Sequence, residues 1–450
     1  ATYDAGWLRA EGIEVKGTII DTMVAAPLVN ENRFSYSLNN LGRDYIDMRK
    51  DEKMLRAAAK DFGIDPKSEM WRLPPKFVGP YAEQDALMTL KLWDRLRIEI
   101  DMQELNTVFG LETKLIPILL DMRTKGVRVD LDKAEQAKQT LKARIVKLKK
   151  FIKDKTSVDI EPWANASVES VFKALNLNYP KTELGAPSFT KQFLLAHPHE
   201  VAQAIVKLRE ADKADSTFID SILKHEYKGR IHCEFHQLRS DDGGTVTGRF
   251  SSSNPNLQQI PARDPEIKKL IRGLFIPEEG QKWGSFDYSS QEPMLLVHYC
   301  SVLGRHDRHP MIDEVIEEYH KGDADFHQMV ADLAGISRKE AKTVNLGIMY
   351  GMGVAKLGAQ LSLSTEEAKS LMTKYHERVP FVKLLADRVM QRAADNGKIR
   401  TIAGRLCRFD MWEPKTFGYN KPMKHEDAER EYGPQIRRAF TYKALNKLIQ

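Results

Sequence analysis

Two carboxylates stand close together in WGSFDYSSQEPMLL, residues 283–296: Asp287 closes a hydrophobic approach, and Glu292 follows just ahead of an apolar run. The approach predicts a strand that carries the first acid at its end, with the second acid just beyond it. A second cluster lies in RKEAKTVNLGIMYGMG, residues 338–353, where Arg338, Lys342, Leu346 and Tyr350 fall at steps of four. On a helix these residues share one slowly drifting face. Arg grips phosphate oxygens with a planar fork, Lys adds a point charge, and Tyr offers a surface against which a base packs. Such a face could hold a triphosphate at one end and a base at the other. An amphipathic helix with exposed cations satisfies the same spacing, so both readings stand on these residues alone.

The elements that must position these groups come from the rest of the 450 residues, of which 42% are hydrophobic and 29% charged, an ordinary globular balance with room for several cores. No apolar run approaches the roughly 20 residues of a membrane span, and ATYDAGWLRAEG lacks the pattern of a secretory leader. Cys233, Cys300 and Cys407 show no CxxC spacing and cannot all pair, which fits a reducing, cytoplasmic setting and gives no zinc signal. The net charge of +6 is unevenly spread: residues 338–408 hold 14 Lys/Arg against 6 Asp/Glu, and residues 130–155 hold 9 against 4. These basic blocks could wall a groove for a phosphate backbone, or could be solvated helix faces.

Helical periodicity is expected in DEKMLRAAAKDFG and in YAEQDALMTLKLWDRLRIEI, separated by the Pro/Gly-rich LPPKFVGP. Leu141, Ile145, Leu148 and Ile152 make one stripe of a long basic helix over 131–155. GAPSFT reads as a loop and cap, VAQAIVKLREADKADSTFIDSIL as helix, and GRIHCEFHQL alternates with period two through Ile231, Cys233 and Phe235.

With TVTGRFSSSNPNLQQIP at 245–261 ahead of FDYSSQE and the Arg338 to Gly351 element behind it, three long motifs occur in one order. In that order and spacing the chain resembles the family A DNA polymerases, the group of bacterial DNA polymerase I and many phage replicases. KGVRVDLDKA, GAPSFTK, GKIRTIAGR and ALNKLIQ extend the resemblance from end to end. It implies an α+β, α/β multidomain right hand: part of an RNase H-like 3′–5′ exonuclease domain over 1–105, a thumb over 106–229, a palm over 230–303, fingers over 304–432, and a returning palm segment over 433–450. The implied activity is template-directed transfer from dNTPs to a primer 3′-OH in DNA replication, in a bacterial cell or phage-infected host.

The resemblance also implies roles. Asp287 would bind two Mg²⁺ ions, with the Tyr288 backbone carbonyl as a further ligand. Glu292 would be no metal ligand but a steric gate that, with Tyr350, closes the space of a ribose 2′-OH. His327, Arg338, Lys342 and Leu346 would line the incoming nucleotide beside them. Arg249, Asn256, Gln258 and Gln450 would contact primer–template DNA, the first three through minor-groove acceptors present in every correct pair. Asp4, Tyr81 and Asp85 would belong to the exonuclease motifs. Leu346 stands where the family usually has Phe or Tyr, and Met294 where an arginine is frequent.

Neither the second palm carboxylate, in the His-Asp-Glu hairpin called motif C, nor the first exonuclease motif occurs in these residues. The His306-Asp307 pair lies in a turn-like basic segment, and Asp159-Ile160-Glu161 reads as a loop. The expectation is a chain truncated at both ends, or one subunit of a split polymerase whose partner chain supplies motif C. Two rivals differ in outcome: a primer–template binding fragment without catalysis, and a phage-type RNA polymerase, which carries a small residue at the position of Glu292.

Overall fold

The computed structural model describes residues 2–450 except 183, 242, 262–263, 304–308, 323–324, 362 and 417–420, and the side chain of 333. His306-Asp307 therefore lies outside the described residues. Helices dominate, and the described strands are short: one three-stranded sheet and three two-stranded pairs. No helix among the described residues is long and apolar enough to cross a membrane. The chain forms two compact units, one of residues 1–116, 237–250 and 286–450, the other of 117–236 and 251–285.

In the first unit, the helix Pro75–Met102 anchors the N-terminal part. Its stripe Met88, Leu92, Leu96 and Ile100 is at most 1% exposed, each side chain contributing about 1.5–3 kcal/mol of burial. Leu92, Leu96 and Ile100 pack against Val24, Leu28 and Leu41 from the helices Thr22–Val29 and Leu38–Ile46. The expected break at LPPKFVGP is only partial, because the helix starts inside it. Pro75 occupies the first turn, where an N–H has no partner to lose, and the helix runs on through Pro80 toward that buried stripe. A separate core gathers Leu296, Val297, Phe326, Val344, Tyr375, Phe381 and Leu445. It lies under the helices Gln291–Ser301, Phe326–Ala334, Arg338–Met349, Thr365–Arg378, Pro380–Asn396 and Ala444–Ile449.

The second unit is built on the long helix Leu131–Thr156, capped by Asp130, whose carboxylate accepts from Lys133 N. Leu141 and Ile152 are fully buried in it, with Ile145 and Leu148 at the margin of the same cores, as the stripe requires. GRIHCEFHQL forms two short strands, Arg230–Ile231 and Glu234–His236, the latter antiparallel to Ser251–Ser253. The basic block of this helix is less available than its count suggests. Lys133, Lys138, Arg144, Lys149, Lys153 and Lys155 pair with Asp130, Asp220, Glu266, Glu161, Asp159 and Glu200. Lys142, Lys147 and Lys150 make no ion pair among the described residues.

The strand expected to end at Asp287 is not formed. Residues 281–288 carry no strand or helix, and Phe286 and Tyr288 are 97% and 82% exposed. An extended segment becomes a strand only when its N–H and C=O groups meet a neighbouring strand, and none of the strand pairs among the described residues includes this stretch.

Candidate functional site

Within the first unit, three distant stretches of sequence meet at Glu292. This residue lies in the first turn of Gln291–Ser301, entered through Ser290 with a left-handed φ of 53°. Its Oε1 accepts from the Tyr350 hydroxyl at 2.9 Å and from the Arg249 guanidinium. Tyr350 caps the C-terminus of Arg338–Met349. At Gly351, φ is 68° and an added Cβ would lie 3.0 Å from the Tyr442 carbonyl oxygen, so a side chain there would be strained and crowded.

Arg249 follows Gly248, which packs closely against Arg405. At Gly248, φ is 85°, and an added Cβ would meet the Arg405 guanidinium carbon at 2.6 Å. Arg405 in turn donates to Glu112, which also accepts from Gln237 Nε2 at 2.9 Å. Glu112 is 4% exposed; burial pushes its carboxyl above the usual range against the pull of Arg405 and Gln237. Arg405 belongs to GKIRTIAGR, but its partner lies 293 residues away, a separation at which no spacing rule operates.

The face expected on 338–350 is present. Ser337 and Glu340 form a reciprocal capping box, which fixes the start of Arg338–Met349. Arg338 holds Asp325 through Nε and Nη2, both at 2.7 Å, while the other Asp325 oxygen caps Phe326–Ala334 through His327 N and Gln328 N. Burial pushes the Asp325 carboxyl up, but Arg338 and the two backbone donors outweigh it and leave it lowered. Lys342 is exposed, and Leu346 is partly buried against the core. His327 is 8% exposed; burial lowers its pKa, Asp325 opposes, and Lys342 and Arg338 add to the lowering. Met294 is 51% exposed, and nothing in the structure explains its replacement of an arginine. Gln450 follows the last turn of Ala444–Ile449, its N–H bonded to Asn446 O.

Asp287 and Tyr288 stand on the exposed 281–288 stretch. A carboxylate and a backbone carbonyl are hard oxygen donors of the kind Mg²⁺ takes, alongside water and substrate phosphates. The donor set therefore fits the ion in type, although among the described residues no group of three or more His, Cys, Asp or Glu side chains gathers there or elsewhere.

Asn256 and Gln258 belong to the second unit. Asn256 Oδ1 accepts from Gln258 N at 3.1 Å and Ser252 Oγ at 3.2 Å, so its carbonyl is engaged in local structure. Gln258 lines a cleft of about 500 Å³ with Lys191, Lys213 and Phe218.

Asp4 lies exposed on the helix Thr2–Ala10. Tyr81 and Asp85 sit one turn apart on Pro75–Met102, brought together by Lys50, whose Nζ is 2.6 Å from Asp85 Oδ2 and 3.1 Å from the Tyr81 hydroxyl. Sequence reasoning missed Lys50. Burial lowers its pKa, but Asp85 and Tyr81 reverse the sign and raise it, so it stays a cation. The ammonium holds one Asp85 oxygen, while the other, Oδ1, is buried without a hydrogen-bond partner.

The chain is similar to known proteins over most of its length. The family model described as DNA polymerase family A matches residues 131–450, and that described as 3′-5′ exonuclease matches residues 1–101. The DNA-directed DNA polymerase of Pseudomonas phage M6 is 36% identical over 498 residues, covering 100% of this chain and 72% of the relative. The DNA polymerase DpoZ of Acinetobacter phage SH-Ab 15497 is 29% identical over 459 residues, covering 90% of this chain and 72% of its own. Among solved structures, the POL domain of Pol1 from M. smegmatis, in complex with DNA primer-template and dNTP, superposes with a TM-score of 0.75 at 25% identity. It covers 98% of this chain and 70% of the other.

Proposed function

This chain belongs to the family A DNA polymerases and is a DNA-directed DNA polymerase, and on that premise we propose how its residues divide the work of adding a dNTP to a primer 3′-OH. The observation that carries the reading is the junction of Arg249, Glu292 and Tyr350. A gate against a ribose 2′-OH needs a wall that does not yield, and the Tyr350 hydroxyl holds the Glu292 carboxylate in place at 2.9 Å. Arg249 reaches the minor groove of the primer end by leaving Glu292. Both side chains are partly exposed, at 51% and 23%, so that exchange costs at most about 1 kcal/mol.

Arg338, Lys342 and His327 receive the triphosphate. The Arg338–Asp325 pair is 52% and 38% exposed, again weak enough to yield. A bidentate phosphate contact can take over the fork, while Asp325 keeps its two backbone donors. Leu346 and Tyr350 pack beside the sugar and base. Asn256 and Gln258 touch the minor groove further along the primer–template, and Gln450 lies beside it.

The family is metal-dependent, and Asp287 with the Tyr288 carbonyl are the residues that would hold Mg²⁺, two ions in the working site. Held there, Mg²⁺ would supply the chemistry of a lowered pKa at the primer 3′-OH and of charge neutralisation at the pyrophosphate.

Single-nucleotide extension of a labelled primer–template by the full-length protein tests the assignment. Asp287→Ala should lower incorporation by about a thousandfold or more with DNA affinity within about twofold. Near-normal incorporation by the variant removes Asp287 from the metal site.

A further inference from the structure

Three buried side chains on three helices form one hydrogen-bonded line in the first unit. His327 on Phe326–Ala334 is 8% exposed, Asn345 on Arg338–Met349 is 1%, and Tyr375 on Thr365–Arg378 is 0%. Asn345 Nδ2 lies 3.0 Å from His327 Nδ1, and the Tyr375 hydroxyl lies 2.6 Å from Asn345 Oδ1.

The chemistry of the groups orients this line. If the amide were flipped, its NH₂ would face the tyrosine oxygen, and the tyrosine hydrogen would be left without that acceptor in a site with no water access. A stranded donor of that kind costs about 1–3 kcal/mol. With Tyr375 donating to Oδ1, the NH₂ of Asn345 faces Nδ1 of the imidazole. An NH₂ group only donates, so Nδ1 must accept, and a ring that accepts at Nδ1 carries its single proton on Nε2. An imidazolium, which donates from both nitrogens, would oppose the amide.

We propose that Asn345 and Tyr375 are positioning residues for nucleotide binding: Tyr375 sets the Asn345 amide, which holds His327 in the Nε2–H form so that its one donor serves an anionic oxygen of the incoming triphosphate. The proposal rests on the assignment of His327 to the triphosphate. It also accounts for Asn345, a polar side chain on the buried face of its helix, opposite in purpose to the exposed Lys342 three residues before it.

The electrostatics of the pocket agree. Burial favours the neutral ring, the cations Lys342 and Arg338 on the neighbouring helix reinforce that preference, and Asp325 opposes it. Tyr375 faces the relay from the third helix with its hydroxyl pKa raised by complete burial, so it remains a donor.

The test is the ¹⁵N spectrum of the full-length protein labelled at histidine, with the His327 signals identified by their loss in His327→Gln. A neutral ring with the proton on Nε2 is expected in the wild type. In Tyr375→Phe the fixed tautomer should be lost, and KM for dNTP should rise about tenfold while kcat moves by less than about twofold. An Nδ1–H ring or an imidazolium in the wild type at neutral pH overturns the relay, without any variant having to fold. An Nε2–H ring combined with an unchanged KM in His327→Gln overturns the nucleotide assignment of His327, and the proposed role falls with it. The ring spectrum tells the two failures apart.

Discussion

The helices around His327 and the stretch 281–288 differ in where their backbone hydrogen bonds go. Arg338–Met349 satisfies its own N–H and C=O groups four residues away, begins at a capping box, and is braced by Asn345 and Tyr375 from inside. Residues 281–288 hold the acid with the heaviest proposed duty, yet they make no ladder with any described strand and leave Phe286 97% exposed. A helix is a local solution to backbone satisfaction, whereas a strand depends on a partner that is distant in sequence. The helix Arg338–Met349 is therefore ordered by its own residues, whereas residues 281–288 would need a partner strand.

Hydrogen exchange offers the largest contrast by which this comparison can be broken. Amides of 283–288 should exchange at least about a thousandfold faster than those of Val344–Met349. Equal protection would mean that the stretch is paired in solution and that the contrast is false. A smaller effect is expected at the gate. Glu292→Ala removes the acceptor shared by Tyr350 and Arg249, and discrimination against ribonucleotides should fall by about tenfold or more in competition assays. Unchanged discrimination would detach the junction from sugar selection.

The smallest effect concerns acid stability. His327 and His376 are both lowered by burial, so the unfolded chain takes up protons first as pH falls below about 6.5. The folded state then loses stability, by about 1.4 kcal/mol per unit of depression once the folded value is passed. Thermal melts at pH 7.5 and 5.5 should show this loss, and His327→Gln should show less of it. A variant with the full wild-type loss would place the titration elsewhere.

Much of the helical architecture was legible because it follows from short-range spacing. The stripe Leu141, Ile145, Leu148 and Ile152 marked the long helix, and Thr190 closing GAPSFT is the cap it resembles, its side chain accepting from Phe193 N. The step of four from Arg338 to Tyr350 marked the helix Arg338–Met349. The readings that failed each depended on something farther off. LPPKFVGP looked like a break, but the buried stripe Met88, Leu92, Leu96 and Ile100, beginning about two turns downstream, carries the helix through it. The basic block of Leu131–Thr156 read as either a groove wall or a solvated helix face, and what its charge count could not show is that six of its cations are paired with acids.

The sequence by itself determined the order of the motifs, the helices and the chemical types of the candidate site groups, because helix periodicity and capping act over a few residues. Only the tertiary structure decided which of those groups are engaged: Glu292 by Arg249 and Tyr350, Asp85 by Lys50, Arg405 by Glu112, and His327 by Asn345. Such pairings arise when packing removes groups from water and obliges each buried donor and acceptor to find a partner, wherever along the chain that partner lies.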